Sequence, residues 1–124
     1  MPKATQQQIN NALEKIKNAI SDEECGNFHL KKRPENEETL IKLGYLHNHF
    51  LEEILSLTYR NYCEGPERNL SNSGHSKGAI WIFGKEINAI EVYIKIHIVP
   101  QGIKNQCICI SFHEARRRLD YPYA

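Results

Sequence analysis

From position 92 the chain places Val92, Ile94, Ile96 and Ile98 at every second residue, with Tyr93, Lys95 and His97 between them. Side chains alternate faces along a β-strand, so a period of two commits this stretch to a strand with one apolar and one polar face. Such a strand cannot stand alone: its apolar face needs a covering layer and its edges need neighbours. The flanking sequence offers both. Residues 79–87 and 106–113 read as further strands, Asn88-Ala89 is short enough for a hairpin turn, and residues 100–105 make a looser connection.

The first half has a different period. Ile9, Leu13, Ile16, Ala19 and Ile20 recur at spacings of three and four, with Thr5 able to cap the start and Gln8 three residues on, which predicts an amphipathic helix over 5–20. Residues 27–32 alternate weakly and predict a short edge strand. Pro34 opens a second helix that Gly44 closes, and residues 46–57 carry Phe50, Leu51, Ile54 and Leu55 on one side of a third. Residues 63–78, with Gly65-Pro66 and Ser71-Asn72-Ser73-Gly74, read as a long turn-rich loop, a length usually functional or mobile. Residues 119–123 are too short to assign. Helices first and strands afterwards predict one α+β domain over 1–124, its N-terminal helices packed on one face of a C-terminal antiparallel sheet.

Composition narrows the class. With 40% hydrophobic residues over 124 positions, a core forms without disulfides or metal. Cys25 and Cys63 stand apart and Cys107 and Cys109 form a C-x-C; no signal peptide precedes them, so reduced thiols in a cytoplasmic protein are expected. No apolar run approaches the ~20 residues of a membrane helix. A net charge of +1 excludes binding to nucleic acid by bulk charge, but a local basic site remains open, with Arg116-Arg117-Arg118 as its densest run.

If the strands pair as a meander, one face collects Tyr93, Lys95, His97, Ser111 and His113, with Lys85 near, while Ile108, Ile110 and Phe112 join the core. That face carries acid/base groups and fixed positive charge but no carboxylate pair, because Glu86, Glu91 and Glu114 are scattered. Two-metal phosphoryl transfer needs clustered carboxylates. RNA cleavage without metal needs only a base for the 2′-hydroxyl, cations for the phosphorane and an acid for the 5′-oxygen, and these residues supply all three. Plainer readings accompany each residue. An exposed lysine and tyrosine commonly decorate a solvated sheet face, His97 can be a hydrogen-bonded surface histidine, and an arginine run is often solvated. Cys107, Cys109, His97 and His113 on one face suggest zinc, but strand residues i and i+2 lie about 6.6 Å apart, too far for two sulfurs each about 2.3 Å from one ion.

The blocks EVYIKI (91–96) and ICISFHE (108–114), following Ile80-Trp81, resemble the closing strands of the MqsR family of toxins from bacterial type II toxin–antitoxin systems, over roughly residues 55–114. The resemblance implies a RelE-like ribonuclease: a helix-flanked sheet that cleaves messenger RNA without metal or other cofactor, silenced by an antitoxin encoded beside it. Tyr93 matches the family's catalytic tyrosine, Lys95 the lysine two residues on, and His113 a position held by lysine in the best-known member. A histidine there titrates near neutrality, which suits an acid or base better than an electrostatic clamp. The family's lysine before the long loop aligns near Cys63, leaving Arg60 or Tyr62 to substitute, and its glutamine after the tryptophan is Ile82, leaving Lys85 to take over.

The expectation is therefore an mRNA endoribonuclease toxin. His113 is acid or base, Lys95 and Lys85 hold the scissile phosphate, and Tyr93 positions or shares proton transfer. Arg60, Tyr62, Arg116 and Arg117 bind flanking RNA. The expected partners are single-stranded RNA and a cognate antitoxin, with no membrane. One rival is a non-catalytic interaction module using the sheet edge and the long loop, and another is a zinc-binding module.

Overall fold

The computed structural model describes residues 3–21, 27–68, 78–102 and 104–124. The domain is α+β: three helices cover one face of a five-stranded mixed sheet. Helix α1 (Gln6–Ser21) buries Ile9, Ala12, Leu13, Ile16 and Ala19. Its start is the predicted reciprocal cap, the Gln8 amide donating to Thr5 Oγ1 at 3.1 Å and the Thr5 amide to Gln8 Oε1 at 2.8 Å. Helix α2 (Pro34–Leu43) begins on the proline, whose missing N–H costs nothing at that position, and ends on Gly44 in the left-handed conformation at φ 71°. Helix α3 (His47–Leu55) is two residues shorter at its C-terminus than the apolar pattern suggests, because Ser56 caps it.

Strands β1 (Phe28–Leu30), β2 (Tyr62–Arg68), β3 (Ala79–Ile87), β4 (Ile90–Gln101) and β5 (Lys104–Glu114) lie in the order β1-β5-β4-β3-β2. β1 is the expected edge strand, but it runs parallel to β5, so the sheet is mixed rather than wholly antiparallel. The chain then crosses through α2 and α3 to the opposite edge. There the predicted loop is half strand: β2 pairs with β3 through Tyr62, Glu64, Glu67 and Arg68 with two register shifts. Gly65-Pro66, a turn signal in sequence, is accommodated because β2 is an edge strand, where a missing donor costs no ladder bond. At Gly65 a Cβ would stand 2.7 Å from the Ile80 carbonyl oxygen, so the irregular pairing requires glycine. Residues 69–77, the rest of that loop, lie outside the described residues, as does Cys25. Asn88 and Ala89 join β3 and β4 with φ of 50° and 65°, the positive pair of a tight hairpin turn.

Val92, Ile94, Ile96 and Ile98 face the helices as the alternation requires. β5 does not keep its phase. Lys95 pairs with Ser111 but the next residue, Ile96, pairs with Cys109, so Ile110 is an extra residue in a β-bulge. Cys107 and Cys109 are consequently fully buried in the core below the bulge, Ile108 and Ile110 are half-buried, and Phe112 returns to the core above it. The expected core placement of Ile108 and Ile110, and of both cysteines on the polar face, is corrected by this one inserted residue. Phe112 meets Phe50 of α3 edge-on at 4.9 Å, joining helix layer to sheet. Among the described residues no helix is long and apolar enough to cross a membrane.

Candidate active site

The bulge determines which side chains reach the open face. It leaves Ser111 and His113 there, paired with Lys95 and Tyr93 of β4. These four line a pocket of about 410 Å³ together with Arg33, Arg116, Arg117 and Leu119. Five of the expected site residues, Tyr93, Lys95, His113, Arg116 and Arg117, thus converge. The Tyr93 and His113 rings stack with centroids 5.4 Å apart and planes 25° from parallel. His113 Nδ1 lies 3.0 Å from the Glu114 carbonyl oxygen. A carbonyl only accepts, so this bond requires a proton on Nδ1 and leaves the lone pair of a neutral ring on Nε2.

Arg33 was not legible in the sequence. It sits just before α2, and β1's parallel pairing brings it beside β5, 78 residues on. Its guanidinium donates to Ser111 Oγ at 3.2 Å and to the Ile110 carbonyl at 3.4 Å, and pairs with Glu35 at 2.7 Å. A hydrogen bond from its own backbone holds Glu35 below the usual carboxylate range despite the opposing effect of burial, with Arg33, His113 and Arg116 acting the same way. Glu35 therefore neutralises Arg33 formally, while Lys95, Arg116 and Arg117 keep the pocket positive in a nearly neutral chain. Burial pushes the Tyr93 phenol above its ordinary value, with Glu64 and Glu67 of β2 adding to it, so Tyr93 is a proton donor at neutral pH. On the other side of His113 and Arg116 a second hollow of about 300 Å³ is lined by Glu35, Glu38, Thr39, Lys42 and Glu114.

Asn36 fixes the bulge. It is 1% exposed, donates to the Lys31 carbonyl at 2.9 Å and to the Ile110 carbonyl at 3.0 Å, and accepts from the Phe112 amide at 2.9 Å. The helix-borne amide thus satisfies the backbone groups that the bulge removes from the ladder.

Three expected site residues are elsewhere. Lys85 shares its face with Trp81 and Phe83, the helix side, where its Nζ pairs with Glu53 of α3 at 2.6 Å. Tyr62 is 1% exposed, its hydroxyl donating to the Gly65 carbonyl at 2.6 Å and accepting from the Ala4 amide at 3.0 Å, so it is a core residue. Arg60 is exposed, but its guanidinium lies over the Tyr59 ring at 5.6 Å, outside the pocket. His97 is buried and does not line the pocket. Among the described residues no three His, Cys, Asp or Glu side chains are grouped to hold a metal ion.

Comparison of the chain with family models, curated proteins and solved structures gives no match.

Proposed function

We propose that this chain is an endoribonuclease that cleaves single-stranded RNA by attack of the 2′-hydroxyl on the adjacent phosphate, and that it serves as the mRNA-cleaving toxin of a type II toxin–antitoxin pair, as the MqsR-like strand blocks suggest. The convergence of Tyr93, Lys95 and His113 in one cationic pocket carries the reading. In the Nδ1–H tautomer, His113 Nε2 can take the 2′-hydroxyl proton as general base. Lys95, Arg116 and Arg117 offset the charge that grows on the phosphorane oxygens. Tyr93, kept protonated, is placed to donate to a phosphate oxygen or to the departing 5′-oxygen. All three roles are filled by side chains, so the proposed reaction needs no metal; a cytoplasmic location and control by a protein antitoxin are proposed with it, on the resemblance alone.

The test is incubation of purified protein with a single-stranded RNA in excess EDTA. The expected products end in a 2′,3′-cyclic phosphate or its 3′-phosphate, and His113→Ala slows their formation by about 10² to 10⁴. His113→Lys should restore part of the rate with an optimum at higher pH, since lysine's ordinary pKa is about 10.4 against about 6.5 for histidine. Loss of cleavage on chelation would refute the metal-free mechanism. No cleavage by soluble protein, with unimpaired growth on expression, would favour the interaction module instead.

A further inference from the structure

Arg116 and Arg117 of the pocket sit on a segment with no regular secondary structure, beyond the last strand. Exposed irregular segments are ordinarily mobile, and a mobile arginine loses much of its binding free energy in becoming ordered. Here both ends of the loop are tied to one residue. The Glu91 carbonyl accepts from the Ala115 amide at 2.8 Å, its Oε1 from the Leu119 amide at 2.9 Å, and its Oε2 from the Tyr121 hydroxyl at 2.9 Å. Arg116, Arg117 and Arg118 form the arc between these ties.

The sheet beneath is shaped to admit the tie. A Cβ on Gly84 would stand 2.5 Å from Leu119 Cδ1 and 2.6 Å from the Tyr121 hydroxyl, both atoms of the tail. Gly84 has no positive φ, so the space itself is what glycine provides. Further on, the Tyr123 hydroxyl donates to the Ala4 carbonyl at 2.6 Å, which ties this segment to the residues just before α1.

We infer that Glu91, with Tyr121 and Gly84, is a positioning residue: it closes the segment from Ala115 to Tyr121 into a fixed loop that presents Arg116 and Arg117 to phosphates of the RNA. The inference rests on the proposed RNA substrate for what the loop grips, but not for how the loop is held. Glu91 lines neither the pocket nor its neighbour and acts through the backbone it tethers. Arg116 and Arg117 meet the substrate on a backbone already placed, so their grip carries only the cost of ordering their side chains.

Two readouts test this on Gly84→Ala, Tyr121→Phe and Glu91→Gln in the 124-residue chain. The three atoms nearest a Gly84→Ala methyl all belong to tail side chains, and Tyr121→Phe removes a single hydroxyl, so both variants disturb the tail first and the folded sheet is retained. The first readout is trypsin cleavage at Arg116–Arg118, read by mass spectrometry. Loss of one tie should speed it by about three- to tenfold, the range that a single hydrogen bond spans. The second is binding of a 2′-O-methyl RNA oligonucleotide, which cannot undergo 2′-hydroxyl attack, measured by fluorescence anisotropy over a salt series. Losing two phosphate contacts should flatten the slope of log K against log salt by about 1.4, at about 0.7 per contact for single strands. The double variant Arg116→Ala/Arg117→Ala should show the same flattening, and adding Gly84→Ala to it should change little more, because both act on one interaction.

Unchanged trypsin cleavage in all three variants would overturn the inference, as would faster cleavage with wild-type affinity and slope. If wild-type protein binds no oligonucleotide while trypsin still separates the variants, the nuclease reading fails and the tethering by Glu91 stands.

Discussion

Replacing Asn36 with alanine probes the joint on which the pocket depends. The side chain makes three bonds, and each loses something different. The Phe112 amide, on a residue fully shielded from solvent, is left without an acceptor, which costs about 1 to 3 kcal/mol for a buried orphan donor. Lys31 is exposed and water can replace the amide at its carbonyl, and the Ile110 carbonyl keeps Arg33, so each of those losses is about 0.5 to 1 kcal/mol. The sum is about 2 to 5 kcal/mol, a large share of the roughly 5 to 15 kcal/mol that holds a domain folded. In urea unfolding, at a slope of about 2 kcal/mol/M, the midpoint should fall by about 1 to 2.5 M, while the exposed Asn18→Ala should stay within about 0.5 kcal/mol. Hydrogen exchange at the Phe112 amide should accelerate more than at Ile94, its partner across the ladder. A loss below about 0.5 kcal/mol, or unchanged protection at Phe112, would show that the β5 bulge holds itself and that Asn36 is not its clamp.

Lys85→Met should cost about 1 kcal/mol, as for a partly exposed ion pair, and leave the proposed RNA cleavage unchanged; a fall in cleavage with the fold retained would return Lys85 to the site. Burial raises the partner Glu53 carboxyl, but its bonds from Lys85 and Tyr45 outweigh that and lower it overall; its contribution is therefore full above the ordinary value of 4.5 and lost as pH falls through the lowered folded value. Glu53→Gln should flatten the stability curve on that acid side, and an unchanged acid slope would contradict this. Gly44→Ala should cost about 1 kcal/mol by thermal unfolding, because φ there is 71° although nothing crowds a Cβ; a stabilised variant would refute the left-handed cap. Burial pushes the Cys107 thiol up to about 12, so iodoacetamide at pH 8 should label it only as the protein unfolds, and rapid labelling of native protein would place it on the surface after all.

Why the sequence located the pocket yet misassigned part of its lining comes down to which interactions are local. Thr5 with Gln8, Pro34 with Gly44, and the Val92–Ile98 alternation each specify geometry within a few residues, and each appears as the pattern dictates. Lys85 shows a pattern without a decision: Trp81, Phe83 and Lys85 share a parity, but Ile80 and Ile82 are apolar too, so only pairing with Ile94 and Ile96 shows which parity faces the helices. Gly65-Pro66 misleads in the other direction, because a turn signal is tolerated in a strand that has a neighbour on one side only. The bulge is harder still. Nothing between Cys107 and Phe112 marks Ile110 as an extra residue, and the partner that stabilises it, Asn36, reads as an ordinary polar residue of an exposed helix turn. Arg33 and Asn36 come within reach of Ser111 and Phe112 only because β1 is parallel to β5, a pairing separated by most of the chain. Tyr93 and His113 nevertheless share a face on local grounds, since residues 111–113 keep a strict alternation among themselves on the C-terminal side of the bulge. An inserted residue shifts everything N-terminal to it relative to the pocket and leaves Tyr93 and His113 in register, so the pocket-lining end of β5 is legible while its core-facing half is not.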